Sequence, residues 1–139
     1  MKKDKLLDSV HKNAQTGLYT IPKLMERTEN ERFRAELQTE EAAYRNIYQT
    51  AQTLGRGRAD KDLSAFAKLR TNAMIKAETF TNKSASKMAQ MLIMGSTAGA
   101  IEMRKELRKH PNAPAETKQL AETLLTATED HVNSLKQFL

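Results

Sequence analysis

The stretch Ser84 to Leu107, SASKMAQMLIMGSTAGAIEMRKEL, most narrows what this chain can fold into. Wound as a helix, it places Met88, Leu92, Gly95, Gly99 and Met103 on one side at steps of three and four. The opposite side carries Lys87, Gln90, Thr97, Arg104, Lys105 and Arg108, interrupted by Met94 and Ile101. A helix with so narrow a polar stripe belongs in the middle of a bundle. Gly95 and Gly99 predict a notch where another backbone comes close at mid-helix. The Gly95–Gly99 string lies inside a helix rather than after a strand, so it is no phosphate loop.

The flanking segments predict partners for this helix. From Asp4 to Arg27, Leu7, Val10, Ala14, Gly17, Ile21 and Leu24 recur at threes and fours, with Pro22 expected to kink the helix. Thr28-Glu29-Asn30-Glu31 reads as a capping box and a very short turn, which makes helices one and two antiparallel neighbours. In helix two, Phe33, Leu37, Tyr44, Ile47, Ala51 and Leu54 share a face, and the beat between Leu37 and Tyr44 falls on Glu40, with Glu41 beside it. Gly55 is expected to end helix two in the left-handed conformation. Residues 56–83 read as a crossover with its own helix over 62–80, long enough to bring the third bundle helix in at the same end as the second. Asn82 and Ser84 offer caps for the central helix. Pro111 and Pro114 separate that helix from a last one carrying Leu120, Leu124, Ala127, His131, Leu135 and Phe138. A single helical domain over residues 1–139 is expected.

Composition excludes much chemistry. An apolar content of 39% with 5% aromatic residues suits a Leu, Ala, Ile and Met core rather than a sheet. With zero cysteines there is no disulfide, thiolate metal site or thiol nucleophile. The basic N-terminus has no uninterrupted apolar core and no run approaches a membrane span, so a cytoplasmic, membrane-free protein is expected. The net charge of +6 gathers in two clusters, Arg56, Arg58 and Lys61, then Arg104, Lys105, Arg108 and Lys109. Nucleic-acid binding is an alternative reading, but acids are interleaved with these bases and no aromatic residue sits among them for stacking. No nucleophile stands at an informative spacing from a base, so no catalytic residue and no cofactor is assigned. The seven methionines either fill the core or line an apolar cavity.

Two helices, a long crossover and two more helices resemble the ferritin-like four-helix bundle. The runs GSTAGAIEMRKEL and ATEDHVNSLKQFL also resemble small uncharacterised bacterial proteins of that superfamily. The resemblance implies an all-α, ferritin-like four-helix bundle with a long helical crossover between the second and third bundle helices. Iron-binding members carry a Glu on each of two helices and Glu-x-x-His on the other two. Here Glu41-Ala-Ala-Tyr44 puts Tyr where His is needed, and His131 follows Thr128 rather than Glu. Helix one offers no acid at Ala14, Gln15 or Gly17, and the central helix offers Glu102 or Glu106. The resemblance therefore implies a degenerate site and a non-catalytic, structural or interaction role. A reduced single-metal site on Glu41, Glu102 and His131 is the alternative. Met94 and Ile101 on the polar stripe need a cover, either the crossover (Leu63, Phe66, Leu69) or a second subunit, and a homodimer through that face is expected.

Overall fold

A computed structural model of the chain describes residues 4–55, 68, 71–75 and 84–139. The described residues are all-helical and contain no strand. Four long helices, α1 (Lys5–Arg27), α2 (Glu31–Leu54), α3 (Ala85–Lys109) and α4 (Ala115–Leu135), are followed by a 3-10 turn, Lys136–Phe138. Among the described residues no helix is long and apolar enough to cross a membrane.

The caps explain where each helix starts. Asp4 accepts from the Leu7 amide at 2.9 Å and opens α1, which then runs through Pro22. Thr28 does not cap α2, because it is already used to close α1, its N–H donating to the Leu24 carbonyl at 3.0 Å. The N-cap falls two residues later, on Asn30, whose side chain accepts from the Phe33 amide at 2.9 Å. Arg34 reaches back to donate to the Thr28 and Met25 carbonyls, fixing the turn between α1 and α2. Gly55 ends α2 in the right-handed region, φ −81°, rather than the left-handed one. Ser84 caps α3 as expected, accepting from the Lys87 amide at 3.1 Å. Pro114, just ahead of the first helical residue of α4, offers its carbonyl to the Lys118 amide.

Side-chain contacts set the helix directions. Phe33 near the start of α2 meets Phe138 beyond the end of α4 edge-on, with centroids 5.2 Å apart, so these two helices are antiparallel. Thr117 donates to Asp4 at 2.7 Å, which puts the starts of α1 and α4 at one end. The Asn13 amide donates to the Gly99 carbonyl at 3.3 Å at mid-helix, and Thr28 just past α1 shares a cleft with Ser84 just ahead of α3, so α1 and α3 are antiparallel. Thr28, Glu29 and Asn30 share a cleft with Ser84 and Ala85, so α2 and α3 begin at the same end. The predicted crossover lies mostly outside the described residues. Residues 71–75 are helical, and Asn72 donates to the Tyr19 hydroxyl at 2.7 Å while Ile75 is buried, which seats this segment against α1.

The core follows the predicted seams in α1, α2 and α4. Leu7, Val10, Ala14, Ile21 and Leu24 are buried on α1, and Phe33, Leu37, Tyr44, Ile47 and Ala51 on α2. His11 is buried as well, stacked at 4.5 Å on Tyr48. The expectation for α3 holds in part, since Met88, Leu92 and Met103 of its predicted inward face are buried. Rather than sitting in the middle of the bundle, it buries Met88, Ala89, Leu92 and Met103 and leaves Met94 66% and Ile101 52% exposed. Among the described residues Gly95 is no notch for a neighbouring backbone, since a Cβ there would have none of their atoms within 4 Å. Gly99 does serve a contact, but with the Asn13 side chain, whose amide nitrogen would lie 3.1 Å from such a Cβ.

Candidate functional site

Helical periodicity carries a carboxylic acid into the core. Positions 37, 40, 44 and 47 of α2 share one face, so Glu40 lies between Leu37 and Tyr44 on the buried seam and is 1% exposed. Burial raises its pKa from an ordinary 4.5 to about 8. Glu36, one turn back, adds to this by repulsion and by a hydrogen bond between the two carboxyl groups that requires a proton on one of them. Oε2 of Glu40 has no hydrogen-bond partner among the described residues.

Tyr44 and His131 complete the polar cluster. The Tyr44 ring lies on Gly17 of α1, where a Cβ would come within 2.9 Å of it. Thr128 of α4 and Ser96 of α3 act on its hydroxyl to lower its pKa, but burial outweighs them and pushes it up. His131 of α4 meets the Tyr44 ring edge-on, with centroids 5.4 Å apart. Its Nδ1 stands 4.0 Å from Oε1 of Glu40 and also has no hydrogen-bond partner among the described residues. That separation is at the limit for an ion pair and too long for a hydrogen bond. Burial lowers the imidazole pKa, against a smaller opposing effect of Asp130, and raises that of Glu40, so near neutral pH both partners are uncharged. The contact is a juxtaposition of neutral groups rather than a salt bridge.

A groove of about 420 Å³ leads to this cluster between α1 and α3. It exists because both walls are built from small residues: Thr16, Gly17 and Thr20 on α1, and Gly95, Ser96 and Gly99 on α3. Ile21, Leu24, Met91, Leu92 and Met103 line the apolar part, Ile75 closes over it, and Lys12 and Glu102 stand among its polar residues. Glu40, Tyr44 and Thr128, contributed by the two helices opposite, form the floor. The volume falls within the range of small-molecule pockets.

The residues suggested by the di-metal pattern are not brought together. Glu41 points away from the seam and pairs with Arg45 at 3.3 Å. Glu102 is exposed and Glu106 is engaged with Lys109 and His110 at the end of α3, so only His131 reaches the interior cluster. No group of three or more His, Asp and Glu among the described residues is placed to hold a metal. The donor set does not fit a di-metal centre. Of the two basic clusters, Arg56, Arg58 and Lys61 lie outside the described residues; in the other, Arg104 pairs with Glu129 and Lys109 with Glu106.

Glu40 is the candidate residue that motif alignment misses, because Glu41 rather than Glu40 stands three residues before Tyr44. The signal that finds it is its place on the missing beat of the seam. Comparison with protein-family models, curated proteins and solved structures found no match.

Proposed function

We propose that this chain is a non-catalytic binding protein that holds a small, largely apolar ligand in the groove between α1 and α3. We read its frame as a ferritin-like four-helix bundle whose residues 56–83 cross the bundle length. The shared starting end of α2 and α3 supports that frame, because the chain leaving Leu54 must return before Ser84. The observation carrying the binding reading is the groove itself, a gap left by small residues on both walls, faced with Met, Leu and Ile, that ends on a buried acid with an oxygen to spare. Packed helices ordinarily close such gaps, because interior voids forfeit dispersion contacts.

The test is titration of N-phenyl-1-naphthylamine, a neutral apolar fluorophore, followed by amide chemical-shift mapping. Saturable enhancement with shifts concentrated at Thr16, Thr20, Gly95 and Gly99 is the expected result. Shifts confined to other faces, or no saturation at millimolar concentration, refute the proposal. A second reading, two-fold association, rests on the exposure of Met94 and Ile101 two turns apart on α3. Sedimentation showing a monomer at high micromolar concentration would refute it.

A further inference from the structure

Resting on the groove reading, we infer that the ligand is a primary amine with an apolar body, its ammonium head held at the floor by Glu40. The walls fix the body: Met91, Leu92, Met103, Ile21 and Leu24 offer dispersion and hydrophobic contact without a polar demand. The floor fixes the head. Oε2 of Glu40 is an acceptor, or a proton-bearing group able to become one, buried without a partner in a place where an unmatched polar atom is costly. Tyr44 and Thr128 line the floor with Glu40, and Ser96 lines the α3 wall. An ammonium carries three donors and no acceptor, which complements a floor of oxygens.

The charges bearing on that floor select the sign. Glu36 acts on Glu40 along α2, Glu102 lines the groove on α3, and Asp130 acts on His131 on α4, while α1 contributes Lys12 among the polar lining. His131 faces Glu40 as a neutral imidazole. In the lining Lys12 offsets Glu102, but a carboxylate or phosphate head at the floor would meet Glu40 and, one turn away, Glu36, and an alcohol would gain one neutral hydrogen bond. A cation gains a charge-assisted one, roughly twice as strong. The step is a proton transfer only: Glu40 releases its proton to solvent, and the ammonium N–H groups then donate to the carboxylate.

The experiment is calorimetric titration of n-hexylamine, 1-hexanol and hexanoate into wild type and Glu40→Gln, repeated in buffers of different ionisation enthalpy. Wild type is expected to bind hexylamine at least tenfold more tightly than hexanol and hexanoate least of all. The Glu40→Gln protein is expected to lose that tenfold preference and keep hexanol. At pH 6.5, wild type is expected to release about one proton per amine bound, a readout that stands even if the variant does not fold. Equal affinity for hexanol and hexylamine, or amine binding without proton release, overturns the amine assignment while leaving the groove reading intact. No binding of any of the three overturns the groove reading itself.

Discussion

Consider the substitution Glu40→Gln, which removes a titrating group from the core while keeping its shape. In the unfolded chain the carboxyl titrates near 4.5, and in the fold near 8. The folded state therefore holds a proton that the unfolded state has released, and stability falls as pH rises across that interval. The contribution is fully present below 4.5 and fully lost above about 8. At ~1.4 kcal/mol per pH unit, the interval corresponds to about 5 kcal/mol in total, of which about 3 is already lost at pH 7. His131 works in the opposite direction: its lowered pKa makes its contribution present above the ordinary imidazole range and lost as pH falls. Because His131 is common to both proteins, its effect largely cancels in the difference. Urea denaturation followed by circular dichroism at pH 5, 6, 7, 8 and 9 should show the two proteins nearly equal at pH 5. The variant should then gain over wild type by roughly 1 kcal/mol per pH unit until the difference levels off near pH 8 to 9. A difference that stays constant from pH 5 to 9 would refute the burial of a neutral carboxyl at this position.

Gly17→Ala should destabilise by about 1–3 kcal/mol, since the new methyl group meets the buried Tyr44 ring on its axis side at 2.9–3.1 Å and the ring has packed neighbours behind it; an unchanged urea midpoint would contradict this. Gly95→Ala should do the reverse and stabilise by roughly 0.5–1 kcal/mol, because the methyl enters open space and the helix interior gains by losing a glycine. A lower midpoint would show that the groove is narrower than described. Asp4→Ala removes both the cap on Leu7 and the acceptor for Thr117, and should cost about 1–2 kcal/mol, with Asp4→Asn recovering part of it. Equal melting temperatures for wild type and the alanine variant would count against that pairing.

The seams of α1, α2 and α4 were legible because a helix that buries one stripe repeats its apolar residues every three or four positions, and Val10, Leu24, Phe33, Leu37, Leu120 and Leu124 all obey that rule. The α3 helix obeys it at Met88, Leu92 and Met103, and Met94 and Ile101 are exposed on the stripe that the spacing already marked as polar. Gly95 on the inward face, however, has no described atom within 4 Å of where its Cβ would lie. Whether small residues mean close approach or a gap depends on how far apart two helices settle, and that spacing is set by the other contacts in the bundle. The Asn13–Gly99 contact holds α1 and α3 together at one level, while Thr16, Gly17 and Thr20 leave the space beside Gly95 unfilled. Both stripes of small residues were visible in the sequence; their juxtaposition was not.

Glu40 shows the same division more sharply. Its seam position was readable, but its meaning was not, since an acid on a seam can turn to the rim or be drawn inside. The Tyr44 ring seated on Gly17 keeps this face of α2 turned inward, while Glu41, one position on, pairs with Arg45. An apolar residue at position 40 would complete the run from Leu37 to Tyr44 and avoid a cost near 3 kcal/mol at pH 7, a large part of the 5–15 kcal/mol that holds a domain together. A buried acid that gains in return only a contact with another carboxyl, and that lies at the end of a groove, is better explained by what enters the groove than by the packing of the helices. Positions where a chain departs from its own local rule without a compensating contact are where function is expected to reside.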